Sequence, residues 1–269
     1  MRVQIQLIQP ISIFMNKELY QKLLAERRIP ANTVMLGYMG SHSHGTHIPS
    51  TDPNSIDDID LMGFSLGPVE SYLGLKKFEH MVHKEAEWDI VVYEIRKFTR
   101  LLLQQNPNVV GLLWLKDDLY IHDDIQRQYV EKRDIFSSKL AYKTFIGYAT
   151  SQRKKMMMST FQGYMGAKRK ALVEKYGYDI KNAAHTIRIL RMGVEFLNTS
   201  QLNVFRHDAA ELMEIKTGKW ELNKVLSLAD QLLKDAELAY QSSKLPDVPN
   251  EKEAELLLMK VIREKLLGN

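Results

Sequence analysis

Asp58 and Asp60 stand two residues apart in an apolar run that ends at Phe64. Side chains alternate faces along a strand, so this spacing puts both carboxylates on one face and turns Ile59 and Leu61 toward the core. Two carboxylates a few ångströms apart resist joint ionisation unless a cation lies between them, and their hard oxygen donors suit magnesium. Upstream, a second apolar run ends in Gly40-Ser41. A glycine there lets the backbone approach a ligand closely, and a serine offers its hydroxyl and N–H to phosphate oxygens. Asp89 lies among Ile90, Val91 and Val92, where a lone charge needs a compensating partner. A role as third metal ligand supplies one. Far downstream, Lys181, His185 and Arg188 recur at i, i+4 and i+7, a cationic stripe along one helix face.

These groups need elements to hold them. Val3, Ile5 and Leu7 alternate with polar residues as a short strand does, and residues 16–28 read as a helix that Pro30 follows. Residues 33–38 and 56–64 read as strands, 87–93 as a β-branched and aromatic central strand, and 42–55 as a polar, partly mobile loop broken by Pro49 and Pro53. Residues 72–77 fit an edge strand or a helical turn equally well. From residue 94 the period turns helical: Ile95, Phe98, Leu101 and Leu102 lead to a stop at Asn106-Pro107, and a second helix covers 109–115. Ser137 or Ser138 caps a long helix through Ala141, Phe145, Tyr148 and Gln152, and Gly177 ends the next. Residues 179–198 form the clearest helix, with Ile180, Ala183, Ile187, Leu190, Val194 and Leu197 as its core stripe. Three more helices are expected at 207–218, 221–241 and 251–267. Trp88, Trp114 and Trp220 are assigned to the core, with part of the methionine run 156–158. The expected fold class is α+β: a mixed sheet flanked by helices over residues 1–125, then an all-α part over 126–269.

The composition sets limits. A chain of 269 residues can bury a sizeable core, and 45% hydrophobic with 26% charged residues is ordinary for a globular protein. The absence of cysteine excludes a disulfide framework and thiolate metal sites. A net charge of +4 does not by itself demand nucleic acid, although Arg153-Lys154-Lys155 and Lys168-Arg169-Lys170 concentrate charge that a phosphate backbone could use. No apolar run is long enough to span a bilayer and the start lacks a signal-peptide h-region, so a cytoplasmic location without a membrane partner is expected.

The order hydrophobic-Gly-Ser, loop, Asp-hydrophobic-Asp-hydrophobic, then a lone Asp on an apolar strand resembles the nucleotidyltransferase superfamily of DNA polymerase beta. More narrowly, Gly40-Ser41-His42-Ser43-His44-Gly45-Thr46, the strand at 58–63, the run 89–98, Asn106-Pro107 with Leu112-Leu113, and the helix holding His185-Thr186-Ile187-Arg188 resemble a bacterial and phage subfamily, some of it associated with RNA repair. The resemblance covers residues 34–218. It implies a nucleotidyltransferase domain followed by a helical domain that completes the nucleotide site and selects the acceptor. It also implies two magnesium ions, manganese being a substitute, held by Asp58, Asp60 and Asp89. A nucleoside triphosphate would lie on Gly40, Ser41 and His42, with Lys181, His185 and Arg188 as further ligands. The expected reaction moves a nucleoside monophosphate to an acceptor hydroxyl and releases pyrophosphate, the favoured acceptor being an RNA 3′ end (a tRNA or a broken RNA). The loop between Ser41 and Asp58 is long for the superfamily, which admits Asp52 or Asp57 as the first carboxylate; Asp58 is preferred because it shares a strand face with Asp60.

Three other readings use the same residues. A protein side chain or a small molecule would serve as acceptor at the same metal site. His42, His44 and His47, followed by aspartates, suggest a zinc or iron hydrolase instead. A scaffold without catalysis, binding nucleotide or RNA, is the third.

Overall fold

Residues 15–52, 55, 57–85, 87–122, 124–157 and 166–267 are described in the computed structural model. The strand expected at Val3, Ile5 and Leu7 lies outside them. Five strands among the described residues, β1 (Thr33–Tyr38), β2 (Ile59–Ser65), β3 (His80–Glu85), β4 (Trp88–Glu94) and β5 (Tyr120–His122), make one sheet in the order β3-β4-β2-β1-β5. β2 and β4 are parallel and the other three pairs antiparallel, so the sheet is mixed as expected.

Strand alternation sorts this sheet into two faces. Leu36, Tyr38, Leu61, Ile90 and Val92 pack with Leu23 of α1 (Lys17–Ala25) on one side. Asn16 caps α1, its carboxamide accepting from the Leu19 N–H at 2.8 Å. The opposite face, which carries Asp60, Met62 and Phe64 on β2, belongs to the main core. That core runs without a break from Val34 and Phe64 to Val261 near the C-terminal end. Short helices α2 (Gly40–His44) and α3 (Glu70–Leu73) join the strands. The helical half consists of α4 (Ile95–Leu103), α5 (Pro107–Val110), α6 (Asp124–Glu131), α7 (Gly147–Met157), α8 (Ala167–Tyr176), α9 (Ile180–Thr199), α10 (Ala209–Lys216), α11 (Leu222–Ser242) and α12 (Glu251–Leu267). No helix among the described residues is long and apolar enough to cross a membrane.

Several expectations need correction. β2 starts at Ile59 instead of residue 56, because its partners run out there: Met39 N–H bonds the Asp60 carbonyl as β1 turns away, and Ile59 N–H meets Glu87 just before β4. Asp58 therefore precedes the strand, and the ladder does not fix its face. Residues 70–73 form one helical turn, while the edge strand follows later as β3. The long helix through Ala141 and Gln152 is interrupted by a π-helical turn, Tyr142–Ile146, where Phe145 packs against Gly193 of α9. The helix at 109–115 divides into α5 and a 3₁₀ turn, Gly111–Trp114. Trp88 and Trp114 are only half-buried. The loop after α2 is tied down: Ser55 Oγ donates to the Ile48 carbonyl at 2.8 Å, and Asp57 accepts from the Ile48 N–H at 2.9 Å.

The segment that follows α9 is fastened by Arg206. Its guanidinium is wholly buried, gripping Glu195 at 2.6 and 2.7 Å and Asp208 at 2.8 Å and also donating to the Asn203 carbonyl. Removing one side of a buried ion cluster strands the others, at about 3 to 5 kcal/mol. Arg206→Met is therefore expected to lower stability by that amount in urea unfolding; a loss below about 1 kcal/mol would contradict this role.

Candidate active site

Asp60 and Asp89 face each other across the parallel β2–β4 ladder, in register with Met62 opposite Val91 and Phe64 opposite Tyr93. Opposed residues share a face, so the two carboxylates stand side by side on the sheet surface that meets the helical half. Above them runs α9. Asp179 caps its start, accepting from the Asn182 N–H at 3.1 Å, and Lys181, Ala184, His185, Arg188 and Met192 form one stripe three and four residues apart. Between the two surfaces lies a cavity of about 390 Å³, closed at the sides by Gly40, Ser41 and His44, by Asp57 and Lys216, and by Pro107, Asn108 and Gly111. A cavity of that size can take a small-molecule ligand.

Gly40 explains how the turn comes so close. Its φ is +59°, and a β-carbon added there would run into the Asp60 carboxylate. No larger residue permits this path. Ser41 Oγ lies 3.3 Å from His47 Nδ1.

The charges across the cavity are unequal. Burial, reinforced by Asp89, Asp58 and Asp57 against the pull of Lys181, pushes Asp60 up to about 6. Burial also works to raise Asp57, but Lys216, the Ile48 N–H and Lys181 outweigh it and hold that carboxyl below its usual range. Asp57 is thus consumed by an ion pair with Lys216, with Lys181 at 3.7 Å. Lys216 also donates to the Thr46 carbonyl at 2.7 Å, and burial lowers its pKa despite Asp57. Asp89 is held by Lys84, whose Nζ donates to Oδ2 at 2.8 Å.

Arg188 has no such partner. It is 8% exposed, and among the described residues its guanidinium donates to His185 Nδ1 and Met192 Sδ, both at 3.1 Å, with no carboxylate in ion-pair reach. Burial lowers its pKa to about 10, leaving it charged at neutral pH. His185, with burial first and Arg188 second, titrates well below its ordinary range. A neutral imidazole accepting at Nδ1 carries its proton on Nε2, and Nε2 has no partner among the described residues.

Of the residues singled out in the sequence, Gly40, Ser41, Asp60, Asp89, Lys181, His185 and Arg188 line this one cavity, while Asp58 and His42 do not. Asp58 acts on Asp60 through its charge. The His42 ring stacks on His47 at 3.7 Å and is pushed down to about 4 by burial and by His47. His44 is buried with Nδ1 3.0 Å from the Val204 carbonyl, so the three histidines do not converge. Among the described residues no three His, Asp or Glu side chains gather into a ready-made metal site. Magnesium commonly takes one or two protein carboxylates and completes its shell with phosphates and waters, and Asp60 beside Asp89 fits that need. No local signal marks Lys216, which falls within the helix expected at 207–218.

A mixed sheet with a carboxylate pair under a cationic helix suits phosphate and a divalent cation. The sequence matches the family RlaP, described as the RNA repair pathway DNA polymerase beta family, over residues 15–260, and the chain belongs to that family. It is a nucleotidyltransferase by that membership. No curated protein matches the chain. Among solved structures it is loosely similar to a nucleotidyltransferase-like protein from Exiguobacterium sibiricum 255-15, at 10% identity and a TM-score of 0.32, over 93% of this chain and 77% of that one.

The raised Asp60 makes a testable statement about stability. An unfolded aspartate titrates near 4, whereas folded Asp60 titrates at about 6. The folded chain keeps a proton that the unfolded chain loses, so folding is disfavoured progressively as pH rises from about 4 to 6. Asp60→Asn removes that cost. With a chelator present, the variant is expected to be more stable than the wild type at pH 7.5, by on the order of 1 to 3 kcal/mol, and equal to it near pH 3.5. A variant that is less stable at pH 7.5 would refute the electrostatic picture of the site.

Proposed function

We propose that the protein transfers a nucleoside monophosphate from a nucleoside triphosphate to a hydroxyl at an RNA 3′ end, with divalent metal held by Asp60 and Asp89. The observation that carries this reading is the buried Arg188 guanidinium, without an ion-pair partner among the described residues, which lines with His185 a cavity floored by carboxylates. A buried cation without a counter-ion is costly, and a polyanion that docks on it gains charge-assisted hydrogen bonds. The opposite sheet face needs cations for the same reason. A triphosphate accompanied by metal satisfies both walls.

In the proposed step Ser41 and the backbone around Gly40 hold phosphate oxygens. Lys181 and Arg188 neutralise the charge that passes to the leaving pyrophosphate, with the neutral His185 holding Arg188 through its Nδ1. The acceptor oxygen forms a bond to the α-phosphorus as the bond to the β-phosphate bridging oxygen breaks, and the hydroxyl proton leaves to solvent. Magnesium, when bound, acidifies the attacking hydroxyl and offsets charge on the phosphates. Asp60 and Asp89 would hold the metal, and Asp58, in the segment just before β2, bears on the site through its charge on Asp60. Residues 1–125 supply the carboxylates and the phosphate turn, and residues 126–269 supply the cations. A cytoplasmic location suits such an acceptor.

The test is transfer of label from each α-labelled triphosphate, with magnesium, to RNA or to protein. Label in RNA is expected, lost by at least about 10²-fold in Asp60→Ala and Asp89→Ala. No label in any acceptor, or equal label in these variants, would refute transfer; label in protein alone would move the acceptor. Arg188→Met separates binding from architecture. It is expected to stabilise the ligand-free protein by about 1 kcal/mol while raising the triphosphate KM at least tenfold. A structural arginine would give the opposite sign of stability change.

A further inference from the structure

The sheet face that carries Asp60 and Asp89 continues beyond the cavity. Across the β3–β4 ladder Lys84 stands opposite Asp89, Val82 opposite Val91 and His80 opposite Tyr93. Directly opposed residues in an antiparallel pair point the same way, so these three extend the cavity floor outward by one strand, about 4.8 Å. The helical half does not cover them: Val82 is 55% exposed, and His80 and Lys84 are exposed beside it. Lys97 reaches over from α4, 3.1 Å from His80 Nδ1 and 5.8 Å from the centre of the Tyr93 ring. Glu79 shares Lys97 at 3.4 Å, so this end is only partly cationic. The His80 and Tyr93 rings lie 6.3 Å apart, inclined by 35°.

We infer that this strip, Lys84-Val82-His80 with Tyr93 and Lys97, is the platform on which the single-stranded end of an RNA acceptor lies. This rests on the cavity being the nucleotide site and adds where the acceptor approaches. Three features favour a nucleic-acid strand. Lys84, bonded to Asp89, and Lys97, shared with Glu79, stand at the two ends of the strip, where each can also meet a backbone phosphate. An aliphatic side chain and two rings lie between them, surfaces on which unstacked bases pack without sequence choice. The strip is also continuous with Asp89, so an end lying on it delivers its terminal hydroxyl to the carboxylates. A peptide would instead pair its backbone with the outer edge of β3 and would not need the face charges.

The measurement is fluorescence anisotropy of a labelled single-stranded RNA with a free 3′ hydroxyl, titrated with the full chain at several salt concentrations. Three variants are compared: Val82→Glu, Lys84→Ala and, as a control that lowers the charge by more than either, Lys234→Glu on the exposed face of α11. Val82→Glu is expected to weaken binding about tenfold, and Lys84→Ala several-fold with the salt slope reduced by about 0.7. Lys234→Glu is expected to bind like the wild type. Thermal unfolding reports whether each variant is folded, and exposed substitutions should leave it unchanged. Wild-type affinity and slope in both strip variants, or no RNA binding by the wild type, would overturn the platform. Equal transfer to RNA by wild type and strip variants would overturn it too, while leaving the cavity reading standing. RNA binding through the strip by a protein that labels no acceptor would support the platform and refute the cavity reading.

Discussion

The Asp57–Lys216 ion pair, almost wholly withdrawn from water, fixes the charge balance on which the site depends. It joins the loop before β2 to the last residue of α10, and through the Thr46 carbonyl it also holds the segment leaving the Gly40-Ser41 turn. Neither charge could be buried alone; together they are tolerated because each also has a hydrogen-bonding partner on the backbone. One carboxylate and one cation are thereby removed from the cavity. What is left is asymmetric: Asp60 and Asp89 crowd one wall, and Arg188 stands uncompensated in the other.

That asymmetry explains why the sheet and the helices form a joint core instead of two separate ones. The face of β2 and β4 carries carboxylates at one end and Met62, Phe64 and Tyr93 at the other, and α9 matches it with cations first and Met192 later. The cavity between them is lined by these charges at one end and by Met62, Val91, Tyr93 and Met192 at the other. Gly40 then decides how near the turn can come to Asp60. Ligand-free, such a site is under electrostatic strain, which is the usual relation between binding sites and stability.

Much of this was legible in the sequence because it is periodic. Alternation put Asp60 on one strand face, the isolated Asp89 marked its neighbour, and the three-and-four spacing of Lys181, His185 and Arg188 placed them on one helix face. What was not legible depends on partners distant in the chain. Lys216 meets Asp57 across 159 residues, and nothing local announces that meeting. The start of β2 is set by where β1 ends and β4 begins, so Asp58 could not be placed from its own neighbours. β3 escaped notice because an edge strand with His80, Lys84 and Glu85 lacks the apolar signature of its neighbours, and β5 is only three residues long. The Gly147 side of α7 carries a π-turn that no residue type specifies by itself.

The central claim is that one cavity holds a triphosphate between a carboxylate sheet face and the α9 cations. The most direct measurement is a crystal structure with manganese and a triphosphate analogue that cannot be cleaved, using anomalous scattering to locate the metal. Manganese against Asp60 and Asp89, with phosphate oxygens on Ser41, Lys181 and Arg188, is the predicted result. Manganese or triphosphate bound elsewhere, with Arg188 still facing an empty cavity, would contradict the account.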